Sequence, residues 1–311
     1  MSDSVVVSPS PLSPRGMRWR TRLTPYVFLL PALLLFAALS VVPIVTVIYY
    51  STMDNVVITR DAPSFIGLGN YVELLTSSVF LQATMNTVIL ASVSVVGHFI
   101  LGLGFAMLLD SPFVGPMAKA VFRVIYILPW VFTASIIAIL WRLLLSPNGV
   151  VNYALSATGI ASGGPIEWLG STELALPSVV FINIWAGYPF YMVSFLAGLQ
   201  GIPASLYEAA KIDGANALQL TWHITLPQLR PIITSLAILD FIWTTHQFTL
   251  VWMTTAGGPI RASEVLSTFT YKAAFSSNEF ALASAAAVVI LVMSVIIGVF
   301  YVRSQQQASA S

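Results

Sequence analysis

Long apolar runs separated by short polar stretches dominate the chain. Six segments, roughly 25–50, 82–109, 121–145, 174–200, 230–255 and 280–302, are apolar over the length of a bilayer crossing, for which about 20 residues suffice. The pattern predicts an all-α membrane protein with six transmembrane helices, and one longer polar loop between the fourth and fifth. Pro25, Pro31 and Pro43 predict bends in the first segment, because proline removes a helical N–H. Gly97, Gly102 and Gly104 in the second predict close helix packing. His98, beside Gly97, should face protein or a water-filled cavity.

Composition supports this reading. Apolar residues make up 57% of the chain and charged ones only 8%, against roughly 25% charged in soluble domains. A net charge of +1 gives no case for nucleic acid. There is no cysteine, and His98, His223 and His246 are scattered, so no metal site and no cofactor are expected. No phosphate-binding G-x-x-x-x-G-K-[ST] loop occurs, so ATP hydrolysis would have to come from another chain. Neither H-E-x-x-H, nor paired catalytic carboxylates, nor a Ser–Lys dyad is found, and no catalytic residue is expected.

Lysine and arginine placement predicts orientation. Arg15, Arg18, Arg20, Arg22, Lys119, Arg123, Lys211, Arg230 and Arg303 fall on one side, and Arg60, Arg142, Arg261 and Lys272 on the other. Both termini are therefore expected in the cytoplasm of a bacterial inner membrane. The first apolar run is too long for a signal core, so an uncleaved first helix is expected. Residues 1–22 read as a cytoplasmic tail, disordered over 1–14; 23–303 as the membrane domain; and 304–311 as a second tail. Outside, the Gly-rich stretch 65–71 precedes a short amphipathic helix. The loop 146–173 carries Trp168 as an interface anchor.

The polar loop, about 203–227, reads as two short helices. Ser205 and Glu208 fit a capping box for the first. Ala209 and Ala210 keep that helix slim, and Gly214 fits the left-handed position that ends it. A second helix would run from about Asn216 to Ile224, with Pro227 and Pro231 shaping entry into segment five. The string Glu208-Ala-Ala-Lys211-Ile-Asp213-Gly214-Ala215, followed by Ile224-Thr-Leu-Pro227, closely resembles the cytoplasmic coupling loop of binding-protein-dependent ABC importers. The resemblance covers nearly the whole chain and points to permease subunits of the carbohydrate importers, the maltose and glycerol-phosphate type. Trp222 stands where that family often has Phe.

That resemblance implies several partners: a second homologous permease, two copies of an ATP-binding subunit, an extracytoplasmic solute-binding protein, a carbohydrate substrate and membrane lipid. It implies that Glu208, Ala209, Ala210, Asp213 and Gly214 engage the ATPase. Substrate contacts are expected in segments four and five, where amides, hydroxyls and rings gather. Gly187 and Pro189 are expected to unwind or bend segment four. By resemblance, Asn183, Gly187, Phe190, His246 and Gln247 match substrate-contacting positions, the last two standing ahead of Thr255-Ala-Gly257-Gly258-Pro259. Tyr188, Asp240, Trp243 and Thr244 complete the candidate set. Helix packing and the interface belt are alternative roles for each aromatic, and an interhelical hydrogen bond for Asp240. A rival reading is an ion-driven secondary transporter in which Asp240 and His246 relay protons. Which sugar is carried, and whether it is anionic, is not readable from the residues.

Overall fold

The computed structural model describes residues 15–54, 56, 62–159 and 164–310. The tail 1–14 and Arg60 lie outside them. The chain divides into two units, one reaching to Tyr49 and the other starting at Tyr50.

In the first unit, α1 (Arg15–Phe36) continues through a π-helical turn (Ala37–Val41) into α2 (Val42–Tyr50). Val42 donates its N–H five residues back, to the Ala37 carbonyl. This turn lies immediately before Pro43, whose missing N–H disrupts the normal ladder there.

The second unit begins with a two-residue ribbon, β1 (Met53–Asp54) antiparallel to β2 (Ser64–Phe65). Next comes α3 (Gly69–Thr76). Asn70 is buried and explains the Gly-rich entry: its Nδ2 donates at 2.9 Å to the carbonyls of both Ser51 and Met53. Then follow α4 (Ser78–Asp110), α5 (Pro116–Val131), α6 (Ala134–Leu144), α7 (Val150–Ala157), α8 (Ala175–Gln200), α9 (Ala204–Ile212), α10 (Ala217–Leu220), α11 (Leu226–Thr245), α12 (Thr249–Thr254), α13 (Leu266–Phe275) and α14 (Phe280–Ala310). A second π-turn (Thr221–Thr225) joins α10 to α11 without a break.

The main core lies where α4, α8 and α11 meet. Leu103, Ala106 and Leu109 pack on Tyr191, Met192, Phe195 and Leu199, with Leu229 and Leu236 against them. Two of the three expected packing glycines explain the closeness. A Cβ at 97 would strike Ile184, and one at 102 would strike Tyr191, both on α8; at 104 it would meet open space. Lipid is as apolar as these side chains, so the gain comes from dispersion across a tight seam rather than from excluded water. A second cluster binds α14 to α3, α4 and α13 through Leu74, Phe80, Leu266, Ala286 and Ile290.

Among the described residues, four stretches, Tyr26–Tyr50, Ser78–Asp110, Ala175–Gln200 and Phe280–Arg303, are long and apolar enough to cross a membrane, and a bent pair raises the number to five of the expected six. That pair is segment three. It divides into α5 and α6 with a 99° bend, because Pro129 lies in the last turn of α5, and Thr133 caps a new helix by accepting from the Ile136 N–H at 3.5 Å. Segment five is broken too: α11 ends at Thr245 and α12 starts at Thr249. Segment four, by contrast, is neither unwound nor interrupted, since α8 runs through Gly187 and Pro189 as one helix.

The loop after α12 is held by a buried acid. Glu264, 2% exposed, receives Lys272 Nζ at 2.9 Å, while Asn86 on α4 donates to the carbonyls of Ala262 and Glu264 at 3.1 and 2.9 Å. Thr255–Pro259 forms a turn, with Gly257 at φ +80° and the Gly258 N–H bonded to the Thr255 carbonyl at 2.9 Å. In the loop before α8, Trp168 is drawn inward. Its Nε1 donates to Asn152 Oδ1 at 3.3 Å, and its ring packs against the Ile137, Ile182 and Leu250 cluster.

Candidate functional site

Two features stand out from the apolar helices: a polar cavity and the structured loop α9–α10. The cavity, about 280 Å³, lies between α4, α5, α6, α8, α11 and α12. Both helix breaks shape it. The bend after α5 brings Pro129, Trp130, Phe132 and Ile137 to one wall, and the end of α11 brings Asp240, Trp243, Thr244 and Gln247 to another. Gln247 falls in the gap between α11 and α12, where its N–H bonds back to the Thr244 carbonyl at 3.0 Å.

His98, Asn183 and Gly187 complete the polar wall. His98 is 2% exposed and bridges two helices. Its Nδ1 lies 2.7 Å from Asp240 Oδ2, and its Nε2 lies 2.9 Å from the Asn183 carbonyl. Tyr191 Oη donates to the same Asp240 oxygen at 3.0 Å, and Thr244 Oγ1 donates to the other at 3.2 Å. Gln247 Nε2 donates to Asn183 Oδ1 at 3.3 Å, while Asn183 Nδ2 is buried without a partner among the described residues. Gly187 is required by this arrangement: a Cβ there would collide with the His98 imidazole.

Of the nine candidate substrate residues, Asn183, Gly187, Asp240, Trp243, Thr244 and Gln247 line the cavity together. The other three lie elsewhere. Tyr188 faces Phe105, with ring centroids 5.1 Å apart. Phe190 is wedged behind the wall between Trp130 and Trp243, at 5.9 and 5.8 Å. His246 Nε2 donates to Ser294 Oγ on α14 at 2.8 Å, that hydroxyl being itself committed to the Ile290 carbonyl. Asp240 and His246 therefore sit in different networks.

Sequence reasoning set His98 against protein or a cavity without placing it in the candidate set, and left out Tyr191, Trp130 and Phe132. A lone imidazole within an apolar segment was the available signal for His98; its partner lies 142 positions away. For the aromatics it was Pro129 followed by the capping residue Thr133.

In the polar loop, Glu208, Ala209, Asp213 and Gly214 are exposed and Ala210 is half-buried. The helix α9 ends as expected: Gly214 has φ +82°, Ala215 N–H bonds to the Ala210 carbonyl at 2.9 Å and Gly214 N–H to that of Lys211 at 3.1 Å. This is the paired bonding of a Schellman motif. The expected Ser205–Glu208 capping box is absent. Pro203 takes the N-cap position with no side-chain cap, so Ser205 falls inside the helix, two positions too late to cap. The box forms instead at α10, where Asn216 and Gln219 bond each other's backbone N–H at 3.0 and 2.8 Å. A side-chain contact ties the two parts of the loop, Tyr207 Oη to Thr225 Oγ1 at 3.0 Å.

Apolar helices long enough to cross a bilayer, enclosing a polar cavity, define a membrane transport component. The comparisons give the family. Residues 21–309 match the binding-protein-dependent transport system inner membrane component, and the chain belongs to that family. It is similar to the probable ABC transporter permease protein YurN of Bacillus subtilis, 34% identical over 285 residues, covering 91% of this chain and 96% of that protein. It is also similar to the trehalose/maltose transport system permease protein MalF of Thermococcus litoralis, 31% identical over 288 residues, covering 92% and 95%. Among solved structures, a chain of a bacterial alginate ABC transporter in complex with an alginate pentasaccharide-bound periplasmic protein has the same fold. Its TM-score is 0.79 at 24% identity, covering 93% of this chain and 96% of that one.

Proposed function

We propose that this permease forms, with a second homologous permease, the path by which a sugar or sugar derivative crosses the bacterial inner membrane. A periplasmic binding protein delivers the cargo, and two copies of an ATP-binding subunit drive the cycle. Both termini lie in the cytoplasm, and segments three and five serve as broken spans that complete six crossings. The loop α9–α10 is the coupling element that docks on the ATPase. The cargo meets Asn183, Asp240, Trp243, Thr244 and Gln247. Tyr188, Phe190 and His246 support that wall from behind or beside it, and Gly187 leaves room for the His98 ring.

The observation that carries this reading is the cavity itself. Amides, a carboxylate and indole rings converge in one hollow among apolar helices. Buried polar groups in such surroundings are costly unless paired, and cluster where a polar solute passes. Broken helices lining a cavity are a recurrent device of membrane transport sites. The trehalose/maltose name of one relative supports a carbohydrate cargo.

The test is uptake into proteoliposomes holding the assembled complex. Disaccharide should accumulate only with internal ATP and external binding protein, and an imposed proton or sodium gradient should not replace them. Accumulation driven by a gradient alone would favour the rival secondary transporter. That rival is poorly served by Asp240 and His246, which hydrogen-bond in separate networks.

A further inference from the structure

Resting on the cargo site just proposed, we infer that this permease selects uncharged carbohydrates and discriminates against sugar acids. The inference comes from the way the cavity disposes of its own charges. Among the described lining residues only His98 and Asp240 are ionisable, and neither lysine nor arginine is present.

Those two groups neutralise each other. The Asn183 carbonyl can only accept, so the His98 Nε2 that faces it at 2.9 Å carries a hydrogen. One further proton occupies the 2.7 Å bond between Nδ1 and Asp240 Oδ2. Placed on nitrogen, it makes an imidazolium and a carboxylate; placed on oxygen, an imidazole and a carboxylic acid. The pair sums to zero either way. Its hydrogen bonds are also taken. Both imidazole nitrogens are engaged, so His98 has no N–H left for an anion, and Asp240 already accepts from Tyr191 and Thr244.

What remains open is neutral. Asn183 is 5% exposed, yet its Nδ2 has no partner among the described residues. Beside it stands the Gln247 amide. A sugar hydroxyl both accepts and donates, and so can serve an amide N–H and an amide carbonyl in turn. Trp130 and Trp243 add apolar ring faces, 56% and 57% exposed, for the C–H face of a pyranose. A carboxylate on the cargo would find no free cation and no free imidazole N–H here. It would give up its hydration without a compensating charge, which is strongly disfavoured in a poorly solvated site.

The experiment uses the whole complex, with its partner permease and ATPase subunits, in lipid nanodiscs without binding protein. Equilibrium binding is measured for maltose, trehalose and cellobiose, and for the acid of each in which one C6 hydroxymethyl is oxidised to carboxylate. The expected result is that a neutral disaccharide binds at least about tenfold more tightly than its own acid, and that Gln247→Ala weakens it by about tenfold. Trp243→Ala serves the same purpose should Gln247→Ala fail to assemble. An acid that binds as well as its neutral parent, and is weakened by Gln247→Ala, would overturn the charge selection while leaving the site intact. If binding is absent for every pair, or indifferent to both variants, the cargo site itself is wrong, and the inference falls with it.

Discussion

Gln247 and His98 represent two kinds of polar residue, one expected to touch cargo and one that organises the wall. Gln247 stands in the gap after α11 and lines the cavity. Its removal leaves a ligand hydroxyl and Asn183 Oδ1 without a partner, at about 1–3 kcal/mol for an unsatisfied buried group. Gln247→Ala should therefore reduce uptake at limiting sugar by about tenfold or more, with complex yield unchanged. His98 is different. Removing one member of a buried ionisable pair strands the other, which costs about 3–5 kcal/mol. His98→Ala should lower the melting temperature of the purified complex well below that of Asp240→Asn, whose amide keeps the shape and most of the bonds. Equal losses in the two variants would argue against the pairing as a structural unit. Legibility followed the same division. The polar cluster of segment five was readable because amides, hydroxyls and a carboxylate are conspicuous in an apolar run. The partnership of His98 with Asp240 was not, since nothing local in α4 indicates which distant helix supplies the second group.

At the scale of elements, apolar continuity concealed the breaks. Residues 121–145 read as one crossing because hydrophobicity reports only depth in the membrane. The 99° bend depends on backbone chemistry at Pro129 and Thr133. The loop α9–α10 was more legible, as its signals are local. Gly214 ended the helix where expected, but Pro203 displaced Ser205 from the cap, and the box moved to Asn216 and Gln219. Gly214 also provides a sharp test. Proline cannot adopt φ +82° and has no N–H for the Lys211 carbonyl. Gly214→Pro should leave the permease in the membrane at normal amounts yet abolish sugar-stimulated ATPase activity in the reconstituted complex. Glu208→Lys, which reverses an exposed charge on the same loop, should weaken stimulation in the same assay. Full stimulation in both would rule out this loop as the coupling element.

For the whole molecule, the asymmetry of lysine and arginine sets an expected topology. A reporter active only in the cytoplasm should work when fused after Arg303 and fail when inserted within 150–165; the opposite outcome would invert the orientation. One connection described above ties the two ends of the permease together. From Ala217 through the π-turn to Thr245 the backbone is one uninterrupted helical rod. The stretch from Ala217 to Asp240 spans about 35 Å at the usual rise of about 1.5 Å per residue. Loop and cavity wall are thus two ends of a single lever, and the π-turn sets its phase. That turn absorbs one extra residue, because its five residues wind through about the rotation that four take in an α-helix. Deleting His223 should therefore let the turn relax to α-helical geometry with Asp240 and Trp243 on nearly their original heading, and sugar uptake should persist. Deleting Thr234, in the α-helical stretch beyond, should instead turn both by about 100° relative to the loop and abolish uptake.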